Sequence, residues 1–239
     1  MPQKLAKRPA SDSPPPHSLT RPRKQGREGS EKQEGKEGLP SSSKAKGAAR
    51  DDDTVITALE LSGAELTPAM QAYFDKCVEK LGFVPNVLVA YAFDMPKLEA
   101  FVAIYNDLML APSGLTKLER EMIAVAVSSH NRCYYCLTAH GAAVRNLADD
   151  PVLGELMVMN YRAARLDRRQ RAMLDFAVKL TAEPWAIEEA DREALRESGF
   201  SDRDIWDIAA VAGFFNMSNR VASATDMRPN SNYHRLKRE

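Results

Sequence analysis

Cysteine and histidine are scarce in this chain of 239 residues: there are three of the first and four of the second. Three cysteines are too few for a disulfide scaffold, so any close pair reads as redox or metal chemistry in a reducing compartment. No apolar run approaches the roughly 18 residues that a membrane-spanning helix needs. The N-terminus also lacks the apolar core of a secretory signal. Aromatic residues make up only 7%, and no basic stripe interleaved with them crosses the body of the chain, which argues against nucleic-acid binding by the core. Strict apolar–polar alternation of useful length is missing too, so strands are not expected. These absences together predict a soluble, cytoplasmic, all-α protein without a membrane partner.

Charge is balanced overall but unevenly placed. Residues 1–50 carry 12 Lys/Arg against 5 Asp/Glu, and the remainder carries 21 against 28. Residues 1–52 are rich in Pro, Ser, Gly and charge, as in "SDSPPPHSL" and "EKQEGKEG". Such a segment buries too little apolar surface to offset its chain entropy and is expected to be a disordered basic tail. Residues 53–239 read as one helical domain. "TPAMQAYFDKCVEKLG" has a Thr cap, Pro in the first turn and a closing Gly. "LTKLEREMIAVAVSSH" opens with a capping box from Thr116 to Glu119, and "LDRRQRAMLDFAVKLT" with one from Asp167 to Gln170. "SDRDIWDIAAVAGFFNMSNRVASA" predicts a long helix running through the core or an interface.

Those two boxed helices share a faint repeat. Leu115, Arg120 and Met122 align with Leu166, Arg171 and Met173, followed by Ala126/Ala177 and Val127/Val178. The second copy has Ala172 where the first has Glu121, and no cysteine follows it. The pattern implies a helical unit used twice, with chemistry in one copy only.

That chemistry centres on "HNRCYYCLTAHGAAVR", His130 to Arg145. His130, Cys133, Cys136 and His140 resemble a zinc ligand set. On one helix, however, the two histidines are separated by roughly 15 Å of rise, while Zn–S and Zn–N bonds are about 2 Å. Only a break at Asn131–Arg132 would bring His130 back, so no metal is assigned. The redox reading fits better. Cys133 and Cys136 are three apart, and His140 lies one turn beyond Cys136 on the same face. The pair sits near a helix start, where the dipole and free N–H groups favour a thiolate. The imidazole can accept the proton of Cys136, and Cys133 can close a disulfide. The plainer alternative is two small cysteines packed in a core. Glu121, in the preceding helix, is either a carboxylate that orients His140 or an exposed helix-start glutamate favoured by the dipole.

Glu121, Cys133, Cys136 and His140 form E-x11-C-x-x-C-x-x-x-H. This resembles the motif of the alkylhydroperoxidase AhpD group in the carboxymuconolactone decarboxylase-like superfamily, and the stretch from Leu81 to His234 is similar to its branch of peroxidase-related enzymes. The resemblance implies an AhpD-like helical bundle that assembles as a homo-oligomer, trimer or hexamer. It also implies a cofactor-free thiol peroxidase. In that cycle Cys136 attacks a hydroperoxide, His140 relays a proton to Glu121, Cys133 resolves the sulfenic acid to a disulfide, and an external dithiol reduces it. One position departs: AhpD carries a histidine directly before the second cysteine, where this chain has Tyr135, a poor proton acceptor. The alternative is therefore thiol–disulfide exchange or redox sensing with little peroxidase activity. A lactone decarboxylase or isomerase role, as in cysteine-free members, is disfavoured by the CxxC pair.

The remaining candidates are assigned to packing. Cys77 reads as a buried small hydrophobe, Met122, Met173, Met217 and Met227 as core or interface filler, and Trp185 and Trp206 as packing anchors. His130 is expected to face solvent or cap a helix C-terminus. Asn216, Ser218, Asn219 and Arg220 form a polar patch suited to a pocket or an interface. His17 and His234 have no visible partner.

Overall fold

The computed structural model describes residues 55–238, so the expected tail, His17 included, lies outside the described residues. Their regular structure is all helical, with a few short turns of other helix types and no strand among the described residues. Helix α1 is Pro68–Leu81, α2 Asn86–Tyr91 and α3 Met95–Tyr105; a π turn at Asn106–Leu110 extends α3. Then come α4 (Lys117–Asn131), α5 (Tyr134–Ala148), α6 (Pro151–Asn160), α7 (Arg168–Ala182), α8 (Glu189–Glu197), α9 (Asp202–Ala224) and the short α10 (Asn232–Arg235). None of them is long and apolar enough to cross a membrane.

The termini follow local chemistry. Thr67 accepts the N–H of Met70 at the start of α1, and Gly82 ends that helix at φ 81°, in the left-handed region where a glycine has no Cβ to clash. Asp94 caps α3 through the N–H of Lys97. Both predicted capping boxes are formed, at Thr116/Glu119 for α4 and at Asp167/Gln170 for α7. The internal repeat is visible in space as well. Met122 and Met173 are both fully buried. Arg120 donates to the carbonyls of Leu115 and Leu108, just ahead of its own helix, and Arg171 donates likewise to those of Arg162 and Ala164. The two helix starts are tied together, since Glu119 accepts both the N–H of Thr116 (2.7 Å) and Nε of Arg169 (2.8 Å).

Helix α4 is the centre of the bundle. Every residue from Glu119 to Ser128 is buried, against α5, α6, α7 and α9. Helix α9 buries one face, with Ile208, Val211, Ala212 and Phe215 in the core. Its outer face carries Trp206, Gly213 and Met217, seven and then four residues apart and thus on one stripe. Trp206 is 72% exposed and Trp185 is 80% exposed, so neither is the packing anchor that its size implied. The phase of α9 turns Trp206 away from the core, and Trp185 sits in the short turn Pro184–Ala186 beyond α7. Size alone does not bury a side chain; helix phase decides.

Both flanks of the helical body return to it. Ala58 donates its N–H to the carbonyl of Thr225 (2.8 Å), and Arg228 donates to that of Ile56 (2.9 Å). Further on, Arg145 on α5 holds the C-terminal segment by donating to the carbonyls of Tyr233 (2.8 Å) and Leu236 (3.0 Å).

Candidate active site

The link between α4 and α5 places the cysteines. Arg132 adopts φ 54° and ends α4 in the left-handed region; its N–H donates to Ser129, and that of Cys133 to Ser128. This tight C-terminal motif leaves Cys133 as the N-cap of α5. His130 faces solvent, and the cap falls to Arg132 instead. Cys136 is then the third residue of α5, within the turn whose N–H groups have no helical partner.

The two thiols differ in charge. The thiol of Cys136 donates to Cys133, which also accepts the backbone N–H groups of Cys136 and Tyr135 and the hydroxyl of Ser223. These bonds outweigh burial and draw Cys133 down to about 6. Cys136 is pushed well above the ordinary thiol value, first by its hydrogen bond to Cys133 and then by burial; Asn219 and Ser218 donate to its sulfur and oppose the rise. The hydrogen bonds of the resting pair therefore favour a thiolate at Cys133 over one at Cys136. Access runs the other way. Cys136 lines a cavity of about 840 Å³, and Cys133, 1% exposed, is not among the residues lining it.

Helix α4 brings Glu121 to the same cavity. Its carboxylate accepts from Nδ1 of His140 at 2.6 Å, and both side chains are nearly buried. The sequence left open whether Glu121 was exposed or paired; it is paired. A carboxylate offers only acceptors, so the Nδ1 atom carries a proton, and in the neutral ring this leaves Nε2 as the acceptor. Phe215 packs edge-on against the ring, with centroids 4.6 Å apart, and fixes its plane. His140 stands one helical turn beyond Cys136 and lines the cavity with it.

The polar patch of α9 divides into two parts. Asn219 donates to Ser128 (2.9 Å) and accepts from Asn131 (2.9 Å), which ties the Cys136 side of α9 to the end of α4. Asn216 accepts from Asn131 and Arg220 and donates to Thr181, away from the thiols. Tyr135, at the position of the departure, is also directed elsewhere. Its phenol accepts the N–H of Val87 (2.9 Å) at the start of α2. Burial holds it protonated far above the usual phenol range, so its role here is to fasten α2 to the cysteine helix.

Other parts of the wall were not visible in any motif. Tyr233 and Leu236, brought by the C-terminal segment, close one side of the cavity. Tyr73 on α1 bonds Asn106 of the π turn (2.9 Å) on another. Cys77, read as buried, is half-buried and lines this space, and burial pushes its thiol up. His234, without an expected partner, lies 3.2 Å from the hydroxyl of Tyr134. Among the described residues no group of three or more His, Cys, Asp or Glu is arranged to hold a metal ion.

Residues 96–161 match the profile of the carboxymuconolactone decarboxylase family. An uncharacterised peroxidase-related protein from Silicibacter sp. TM1040 shares 67% identity, with a TM-score of 0.74 over 76% of this chain and 96% of that one. An alkylhydroperoxidase AhpD core protein from Ralstonia eutropha JMP134, also peroxidase-related and uncharacterised, shares 43% identity and a TM-score of 0.74, over 77% of this chain and 98% of the other. The debrominase Bmp8, solved in complex with 2,3,4-tribromopyrrole, is 17% identical at a TM-score of 0.63 over 74% of this chain and 96% of its own; it shares the fold. No protein of curated function matches the chain.

Proposed function

Since this chain belongs to the carboxymuconolactone decarboxylase family, in its AhpD-like, peroxidase-related group, we propose that it is a thiol peroxidase with Cys136 as the attacking sulfur. The observation that carries this reading is the His140–Glu121 pair lining the same cavity as the one thiol of the CxxC pair that reaches it. A thiol pushed up as Cys136 is does not ionise unaided. It needs a base at the moment of attack, and His140, held by Glu121, is that base.

Nε2 of His140 takes the proton of Cys136. The thiolate attacks the terminal oxygen of a hydroperoxide; the S–O bond forms, the O–O bond breaks, and the departing alkoxide takes the proton back from His140 as an alcohol. Cys136 is now a sulfenic acid, oxidised by two electrons. Cys133, whose thiolate the N–H groups of Cys136 and Tyr135 and the hydroxyl of Ser223 favour, attacks that sulfur; the S–S bond forms, the S–O bond breaks, and the departing hydroxide takes a proton from solvent to become water. An external dithiol then reduces the Cys133–Cys136 disulfide by exchange. No cofactor takes part.

The exposed stripe of Trp206, Gly213 and Met217 on α9 supports the further proposal that the protein works as a homo-oligomer joined through these helices. The test of function is consumption of an organic hydroperoxide with dithiothreitol as reductant. Turnover above the uncatalysed rate, abolished by Cys136→Ser, is expected. A disulfide that forms and breaks in redox buffers while peroxide consumption stays at background would assign the protein to thiol–disulfide exchange instead.

A further inference from the structure

The cavity is far larger than peroxide chemistry requires. Hydrogen peroxide needs little more room than a water molecule, whose share of liquid volume is about 30 Å³. A space of about 840 Å³ belongs with pockets that enclose whole organic ligands. Much of its wall is apolar, with Val102, Phe101, Met109, Phe214 and Leu81 among the lining residues.

The charge along that wall is one-sided. Lys76 and Lys80 stand one turn apart on α1, and Lys117 lies one turn before Glu121 on α4; all three line the cavity. None forms an ion pair among the described residues, whereas Lys97, Lys179 and Lys237 each do. The one carboxylate in the lining is Glu121, already engaged by His140. Asp75 and Glu79 of α1 and Asp107 of the π turn do not line it. Yet residues 51–239 carry more acid than base overall, 28 against 21, so a cationic rim goes against the trend of the domain. Lysine suits such a place, because its stem packs along apolar surface while its ammonium stays in water.

Resting on the peroxidase reading, we infer that the substrate is an amphiphilic anion: a hydroperoxide borne on a hydrocarbon chain that ends in a carboxylate, as in a fatty-acid hydroperoxide. The chain lies along the apolar wall, the carboxylate meets Lys76 and Lys80, and the peroxide meets Cys136. Neighbouring ammonium groups one turn apart offer a carboxylate two charge-assisted bonds. Short neutral hydroperoxides leave both the wall and the lysines unused.

The test uses the full reduced chain and an unreactive ligand. Hydroxyoctadecadienoic acid, the alcohol product, and its methyl ester are titrated calorimetrically. The acid is expected to bind about tenfold more tightly than the ester, with the gap narrowing as ionic strength rises from about 0.01 M to about 0.15 M. The double variant K76A/K80A is expected to bring the acid down to the ester's affinity. Equal binding of acid and ester by the wild type, binding of neither, or an acid preference that survives K76A/K80A would overturn the inference. The cysteines cannot act on an alcohol, so failure of the peroxidase reading leaves this measurement intact. Conversely, turnover of tert-butyl hydroperoxide without any preference for the acid would remove only the substrate class.

Discussion

The opening turns of α4 and α7 are built alike and differ where it matters. Each begins with a capping box, each sends an arginine back to the carbonyls before it, and each buries a methionine at the same register. Glu121 of α4 corresponds to Ala172 of α7. Around the alanine there is only packing. Around the glutamate there is a histidine, a cavity and a thiol. The scaffold, then, does not require the acid. A carboxylate this deep is costly unless paired, and its presence in one copy points to chemistry rather than folding.

The largest expected effect is on the thiol that this copy alone serves. Cys136→Ser should lower hydroperoxide turnover by roughly three orders of magnitude while leaving the far-ultraviolet circular dichroism unchanged. Converting the first copy toward the second comes next. Glu121→Gln keeps the shape but offers His140 no charge, and kcat should fall about a hundredfold with KM for the hydroperoxide nearly constant, as a steady-state comparison would show. A matched fall in kcat/KM through KM alone would mean that Glu121 merely shapes the cavity.

A third expectation concerns Cys133. Because the fold lowers its pKa from 9.0 to about 6, its thiolate is favoured in the folded state. This contribution to stability is present in full above pH 9.0, and it is lost as pH falls through about 6. Thiolate absorbance of the reduced protein in the ultraviolet should accordingly rise with a midpoint near pH 6, and Cys133→Ser should remove that transition. A midpoint near 9.0 would contradict the N-cap argument.

The smallest effects test the likeness of the two copies. Thr116→Ala and Asp167→Ala each remove one cap and should each cost about 1 kcal/mol in denaturant unfolding. A large excess in either would show that the copies are not equivalent scaffolds.

What the sequence disclosed and what it hid follow the same local-versus-distant divide. Caps are local chemistry, so Thr67, Thr116 and Asp167 marked their helices correctly, and Gly82 marked the end of α1. The spacing of Cys133, Cys136 and His140 is set by helix geometry and was readable for the same reason. Glu121 was readable only as a candidate, because whether a helix-start acid faces solvent or a neighbour depends on how α4 packs. The outward Trp206 was missed because α9 is apolar on both faces, and periodicity cannot say which face turns inward. Tyr233 and Leu236 were invisible, since they reach the site through a chain reversal with no motif of its own, and Ser223 because its partner, Cys133, sits on a different helix start. The purpose of Tyr135 was hidden likewise: its partner, the N–H of Val87, lies 48 residues away.

The central claim is that Cys136 is oxidised first and Cys133 answers it. It is tested most directly by treating Cys133→Ser protein with one equivalent of an organic hydroperoxide and a sulfenic-acid trap, then mapping the adduct by mass spectrometry. The trap is expected on Cys136, and in the parent protein a Cys133–Cys136 disulfide in its place. A trap found on Cys77, or an untouched Cys136 beside consumed peroxide, would contradict it.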